Sequence, residues 1–224
     1  MKRFGVYFIT SSEFGWTHEE LAKMTLEAGV RIIQFREKKM STKRMFEIAR
    51  RLRKMTEEYD ATFIVNDRVD LALAVGADGV HVGQDDLPVE VVREIFDGII
   101  GVSAHTVDEA KRAERFADYL GVGPVFGTKT KKDAREPIGV EGLRKIVRSV
   151  SIPVVAIGGI NRCNVLEVLK TGVVGVAVIS AIAGAKDPKE EAKRLVEIVK
   201  GYFSSLTSGC SDSDSSSDSS SASS

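Results

Sequence analysis

The chain has 224 residues, of which 43% are hydrophobic, enough to bury a substantial core and close to the lower size of a single (β/α)8 barrel. Lys and Arg number 32, and so do Asp and Glu, so no global field draws the protein to nucleic acid or an acidic membrane surface, and any anion site must be local. No apolar stretch approaches the roughly 20 residues of a membrane span, and no signal-peptide core is visible, so a cytoplasmic location is expected.

Eight short apolar runs, each ending in glycine or polar residues, alternate with helix-length amphipathic stretches. In chain order they are residues 5–10, 31–38, 62–67, 79–83, 99–106, 119–126, 153–159 and 175–182. Eight βα units predict one closed parallel TIM barrel, an α/β fold whose functional groups stand on the loops after the strands' C-terminal ends. The helical period places Leu21, Met24 and Leu26, then Val91 and Ile95, then Leu195, Val196, Ile198 and Val199 against the barrel's exterior. Pro88 and the pair Asp187-Pro188 mark helix starts, and Gly172 and Gly201 mark helix ends. One domain is expected over residues 1–203. Residues 204–224, rich in Ser and Asp, have almost no apolar surface and predict a disordered tail. Tyr202 and Phe203 are apolar positions left over for a homo-oligomer contact.

Two cysteines, Cys163 and Cys210, are too few for a disulfide framework and lack metal-ligand spacing; Cys163 is expected to be a buried helix residue.

The polar residues at the strand ends carry the chemistry. Gln34, Arg36 and Lys38 stand at alternate positions, so an extended backbone points all three to one face and brings two cations to the barrel mouth. The third strand ends in Asn66-Asp67, the fourth runs into Gln84-Asp85-Asp86, and the fifth carries Ser103 and His105. Neighbouring strands set Asp67 beside Asp85 or Asp86, and two carboxylates among cations suit Mg²⁺ bridging a polyphosphate. The plainer alternative is that these Asp residues cap the following helices.

Residues 127–133, Gly-Thr-Lys-Thr-Lys-Lys-Asp, offer hydroxyl and ammonium donors for a phosphate in a loop able to act as a lid. Gly158 and Gly159 after the seventh run, and Ile179 and Ser180 in the eighth, fall where barrels most often hold a phosphate monoester. A glycine pair also serves any tight turn. The two sites together suit a transferase that joins a diphosphate ester to a phosphorylated acceptor. His81 and His105 point toward the barrel and are read as structural residues or as supports behind the site.

The blocks QFREK (34–38), VNDR (65–68), GVHVGQDD (79–86), GVSAHT (101–106), GVGPVFGTKTKKD (121–133), PVVAIGGI (153–160) and GVAVISAI (175–182) together closely resemble the thiamine-phosphate synthase family, in order through residues 5 to about 200. The resemblance implies that a 4-amino-2-methyl-5-hydroxymethylpyrimidine diphosphate is joined to a hydroxyethylthiazole phosphate, giving thiamine phosphate and pyrophosphate. It implies that Gln34, Arg36, Lys38, Asn66, Ser103 and Lys131 bind the pyrimidine diphosphate and that Asp67 and Asp86 hold Mg²⁺. It further implies that Thr128, Thr130, Gly159, Ile179 and Ser180 hold the thiazole phosphate, and that Arg36, Lys38, Ser103 and Lys131 act in catalysis. The partners are then small molecules. The chain departs from the family pattern at Phe126 and Gly127, where a Tyr and a Pro are common. A related isomerase, the thiazole tautomerase, carries a His where this chain has Pro124. A tautomerase-like isomerase and a non-catalytic phosphate-binding barrel are the alternative functions.

Overall fold

The computed structural model describes residues 3–127 and 135–208. Eight strands, β1 (Gly5–Ile9), β2 (Ile32–Phe35), β3 (Thr62–Asn66), β4 (Gly79–Val82), β5 (Ile99–Ala104), β6 (Tyr119–Val122), β7 (Val154–Ile157) and β8 (Gly175–Val178), form a closed barrel in chain order. Every neighbouring pair is parallel, and β8 returns to β1 with Val176 opposite Val6. The (β/α)8 architecture expected from the sequence is therefore the observed one.

Nine helices pack between and around the strands among the described residues: α1 (His18–Glu27), α2 (Thr42–Glu58), α3 (Val69–Val75), α4 (Val89–Ile95), α5 (Val107–Ala113), α6 (Gly139–Ser149), α7 (Val165–Leu169), α8 (Ser180–Ala183) and α9 (Pro188–Ser208). Capping explains several starts. Thr17 and Glu20 form a reciprocal capping box on α1, and Thr106 accepts the Glu109 N–H at 3.1 Å on α5. Pro188 is the first residue of α9, and Asp187 Oδ1 accepts the Glu190 N–H at 3.0 Å.

Strand alternation divides the core in two. Val6, Phe8, Ile33, Phe63 and Val80 face the helices, whereas Tyr7, Ile9, Ile64, Tyr119 and Val155 fill the barrel's interior.

Several expectations are corrected. The second strand stops at Phe35, so Arg36 and Lys38 belong to the loop beyond it; the eighth stops at Val178, and Ser180–Ala183 is helical. On α4 the buried residue is Val92, while Val91 and Ile95 are 36% and 50% exposed. They share an i, i+4 face one step around the helix from the one that meets the barrel. Gly201 lies inside α9, which runs five residues beyond the expected boundary at 203. Its last turns are bridged by Ser205 Oγ to Tyr202 O and Thr207 Oγ1 to Ser204 O, each 2.7 Å. Tyr202 and Phe203 are not free surface: Phe203 is buried, and the Tyr202 hydroxyl donates to Leu169 O at 3.3 Å. Cys163 is exposed in the turn before α7, where its N–H donates to Asn161 Oδ1. Cys210 and the rest of the Ser-rich tail from residue 209 lie outside the described residues. Among the described residues no helix is long and apolar enough to cross a membrane.

Candidate active site

The loops after the strands' C-terminal ends gather the residues singled out in the sequence. Gln34, Arg36, Asn66 and Ser103 line one small inner cavity of about 30 Å³, with Tyr7, His81 and Tyr119 as its polar floor. A larger cleft of about 210 Å³ opens beside it, lined by Ser103, His105, Gly158, Gly159, Ile179 and Ser180. Ser103, Gly121, Ile157 and Ala177 line both, so the two spaces adjoin. Thr128, Thr130 and Lys131 lie outside the described residues.

The loop after β2 is shaped by Glu37. Its Oε1 accepts the backbone N–H groups of Lys38 at 2.8 Å and Lys39 at 2.6 Å, and its Oε2 accepts from Ser12 Oγ at 3.0 Å. Lys38 is thereby turned toward the next unit, where its Nζ stands 3.3 Å from Asp67 Oδ2. Gln34 thus stays on β2 inside the barrel, while Arg36 and Lys38 stand on a folded loop beyond it rather than on one extended backbone.

Asp67 follows β3 in the left-handed region, at φ 61°. A non-glycine residue there is strained, though Asp tolerates the conformation better than most. It is held by its own N–H, which donates to His81 O at 2.8 Å and carries the β3–β4 ladder one residue further. The Asp86 carboxylate stands against it and also accepts the Gly83 N–H at 2.7 Å. Burial, then the hydrogen bond with Asp86 and its like charge, push the Asp67 carboxyl up, and Lys38 pulls the other way. Neither aspartate caps a helix: the N-cap residues of α3 and α4 are Arg68 and Pro88, and neither makes a side-chain cap bond. Asp86, not the exposed Asp85, is the residue that meets Asp67. Two carboxylates brought together at a half-buried rim, with one cation beside them, fit a hard divalent ion with oxygen ligands and several waters. No cluster of three or more His, Cys, Asp or Glu with metal-site geometry occurs among the described residues.

The far side of the cleft is built by glycines. Gly158 and Gly159 have φ of 98° and 67°, and a Cβ on Gly158 would come within 2.5 Å of Pro124 Cα. Packing of this turn against the loop after β6 is reason enough for the pair, whatever binds there. Opposite, Glu109 accepts the His105 N–H at 2.7 Å and pairs with Arg135 at 2.6 Å. His105 Nδ1 is 3.2 Å from Gly123 O.

Residues 6–182 match the family model described as Thiamine monophosphate synthase. The chain belongs to that family. The thiamine-phosphate synthase of Archaeoglobus fulgidus is 70% identical over 201 residues, which are 90% of this chain and 96% of that protein. That of Pyrococcus furiosus is 57% identical over 187 residues, 81% and 90% of the two chains. The solved structure titled thiamine phosphate pyrophosphorylase from Pyrococcus furiosus superposes with a TM-score of 0.84 at 52% identity, covering 88% of this chain and 96% of that one. The chain is accordingly an enzyme of the transferase kind that this family comprises.

Three features of the barrel's mouth and interior went unread in the sequence. Tyr7 and Tyr119 look like ordinary strand aromatics, yet their hydroxyls are 2.8 Å apart inside the barrel. The signal was the glycine pair around Tyr119: Gly101 lies opposite it in register, and Gly121 is two residues on. Glu37 was passed over between two cations. Glu109 and Arg135 join units too distant in sequence for spacing to link.

Proposed function

We propose that the enzyme joins a 4-amino-2-methyl-5-hydroxymethylpyrimidine diphosphate to a hydroxyethylthiazole phosphate, giving thiamine phosphate and pyrophosphate by a dissociative displacement assisted by Mg²⁺. The observation that carries this reading is Asp67 against Asp86 at the mouth, with Lys38 Nζ 3.3 Å from Asp67. Carboxylates in contact suit a divalent cation, and a divalent cation beside lysine and arginine suits a diphosphate.

In this reading Gln34, Arg36, Asn66 and Ser103 hold the pyrimidine diphosphate in and above the inner cavity they line. Gly159, Ile179 and Ser180 hold the thiazole phosphate in the adjoining cleft, with Thr128 and Thr130 assigned to it by resemblance. The bond between the exocyclic methylene carbon and the diphosphate oxygen breaks, and both electrons go to oxygen. The thiazole nitrogen then supplies the pair that forms the new carbon–nitrogen bond. Asp67 and Asp86 would hold Mg²⁺, which supplies positive charge to the departing diphosphate when bound. Arg36, Lys38 and Lys131 add their charge to the same oxygens, and Ser103 adds a hydrogen bond. Loss of one such donor commonly costs about 10² to 10³ in rate. No proton need be taken from either substrate, so the three histidines have no acid–base task in the reaction.

The test mixes the protein with both substrates and Mg²⁺ and follows thiamine phosphate with and without a chelator. Product that vanishes on chelation supports the reading. Wild-type rates in both Asp67→Ala and Arg36→Ala would overturn it.

A further inference from the structure

Five polar side chains run in series through the barrel's interior, and the proposed chemistry uses only the two at the ends. Gln34 Nε2 donates to the Tyr7 hydroxyl at 2.8 Å. The Tyr7 and Tyr119 hydroxyls are 2.8 Å apart, the Tyr119 hydroxyl is 3.0 Å from His81 Nδ1, and His81 Nε2 is 2.9 Å from Ser103 Oγ. Tyr7 and Tyr119 are 2% and 1% exposed, so bulk solvent scarcely reaches these bonds. The neighbouring strands make room for them: a Cβ on Gly101 would lie 2.2 Å from Tyr119 Cζ and 2.5 Å from His81 Nδ1, and one on Gly121 would lie 2.8 Å from His81 Cε1.

Each hydroxyl has one proton, and with Gln34 donating at the head, a single direction pairs every link of the chain. The Tyr7 oxygen accepts from Gln34, so its own proton goes to Tyr119. Tyr119 then donates to His81 Nδ1, which must be unprotonated. In that direction the imidazole proton sits on Nε2 and is donated to Ser103 Oγ. With its oxygen already accepting, Ser103 turns its own O–H toward the spaces it lines. Burial pushes both phenols far above their ordinary pKa, so neither gives up its proton near neutrality.

We propose that Tyr119 and His81 are positioning residues, oriented by Gln34 and Tyr7, that hold Ser103 as a hydrogen-bond donor toward an oxygen of the substrate's diphosphate. With the opposite polarity Ser103 would donate to His81 and offer an anion only lone pairs. The identity of the anion rests on the diphosphate reading above; the polarity of the chain does not.

Nitrogen-15 NMR of the histidine side chains reads the tautomer directly, and only three histidines need assignment. The expected result is His81 protonated at Nε2 in the wild type. In Tyr119→Phe the Nδ1–H form gains population. Gln34→Glu, which turns a donor into an acceptor at the head of the chain, reverses the tautomer, and Ser103→Ala leaves it unchanged. Calorimetric titration with inorganic pyrophosphate should show binding about tenfold weaker in Ser103→Ala and in Tyr119→Phe, with little further loss in the double variant. His81 carrying its proton on Nδ1 in the wild type would overturn the polarity, and that measurement needs no variant to fold. Unchanged pyrophosphate affinity in both single variants, with the tautomers as expected, would overturn Ser103's role toward the anion. Failure to form thiamine phosphate alongside intact pyrophosphate binding would count against the proposed reaction and leave the chain's polarity standing.

Discussion

Glu37 Oε2 lies 3.1 Å from His18 Nε2, with the two side chains only 3% and 1% exposed. The pair ties the loop after β2 to the first turn of α1, and the other His18 nitrogen is 2.7 Å from Thr10 Oγ1. Burial pulls His18 below its ordinary value of 6.5, against the opposing attraction of Glu37. Burial pushes Glu37 up, but the Lys39 N–H, His18 and Ser12 together bring it down to about 2.

Both shifts have the same sign for stability. The unfolded chain binds a proton at His18 below 6.5 and at Glu37 below 4.5, where the folded protein resists both. Each contribution is present above the unfolded value and lost as pH falls through the folded one. The urea midpoint should therefore hold near pH 7, begin to fall below about 6.5, and fall further from about 4.5 toward 2. In His18→Gln the first decline should flatten. An unchanged pH profile in that variant would remove His18 from the account.

Asp67→Asn separates charge from shape, since Asn also tolerates the left-handed backbone at φ 61°. Without divalent ions the substitution relieves the repulsion from Asp86 and should raise the thermal midpoint by a few degrees, corresponding to about 1 kcal/mol. Added Mg²⁺ should raise the wild-type midpoint and leave the variant's where it was. Turnover should drop by about 10² or more. A large fall in the metal-free midpoint would mean that the Lys38 ion pair outweighs the repulsion.

Gly101→Ala should cost about 1–3 kcal/mol in urea unfolding, because its Cβ would collide with Tyr119 and His81 inside a packed barrel. The displaced rings should also change the His81 nitrogen-15 spectrum. Unaltered stability would show that the interior is looser than its contacts indicate.

On α4, Val92→Ala should cost about 2 kcal/mol, whereas Val91→Ala should stay within about 0.5 kcal/mol of wild type. Val92 is fully buried and Val91 is 36% exposed. Equal effects at the two positions would contradict the facing of this helix.

The barrel was legible because eight apolar runs recur with period, and all eight strands begin within one residue of their expected starts. Their ends were read too far, as at Lys38 and Ile182, because side chains that point into a loop or an α-turn look like strand continuation when they alternate. The face of α4 was misjudged because a seven-residue helix gives too few turns for the period to decide between adjacent faces. The rim residues Asp67, Asp86, Arg36 and Ser103 were visible because each follows or ends a strand. The network beneath them was not, because Tyr7 and Tyr119 are 112 residues apart and their pairing depends on barrel closure.

The bond between the first and last strands has a consequence for how the chain is made. β1 and β8 join residues about 170 positions apart, as Val6 with Val176, and Arg3 additionally reaches Phe203, 200 residues away. Until residues 175–178 have left the ribosome, β1 and β7 are open edges able to pair with another copy. Closure is the most non-local event in the fold, and the slowest kind of contact to form. A nascent chain halted before β8 is thus a partial sheet with two adhesive sides, and the span of synthesis before that strand emerges is when the protein is most exposed to aggregation.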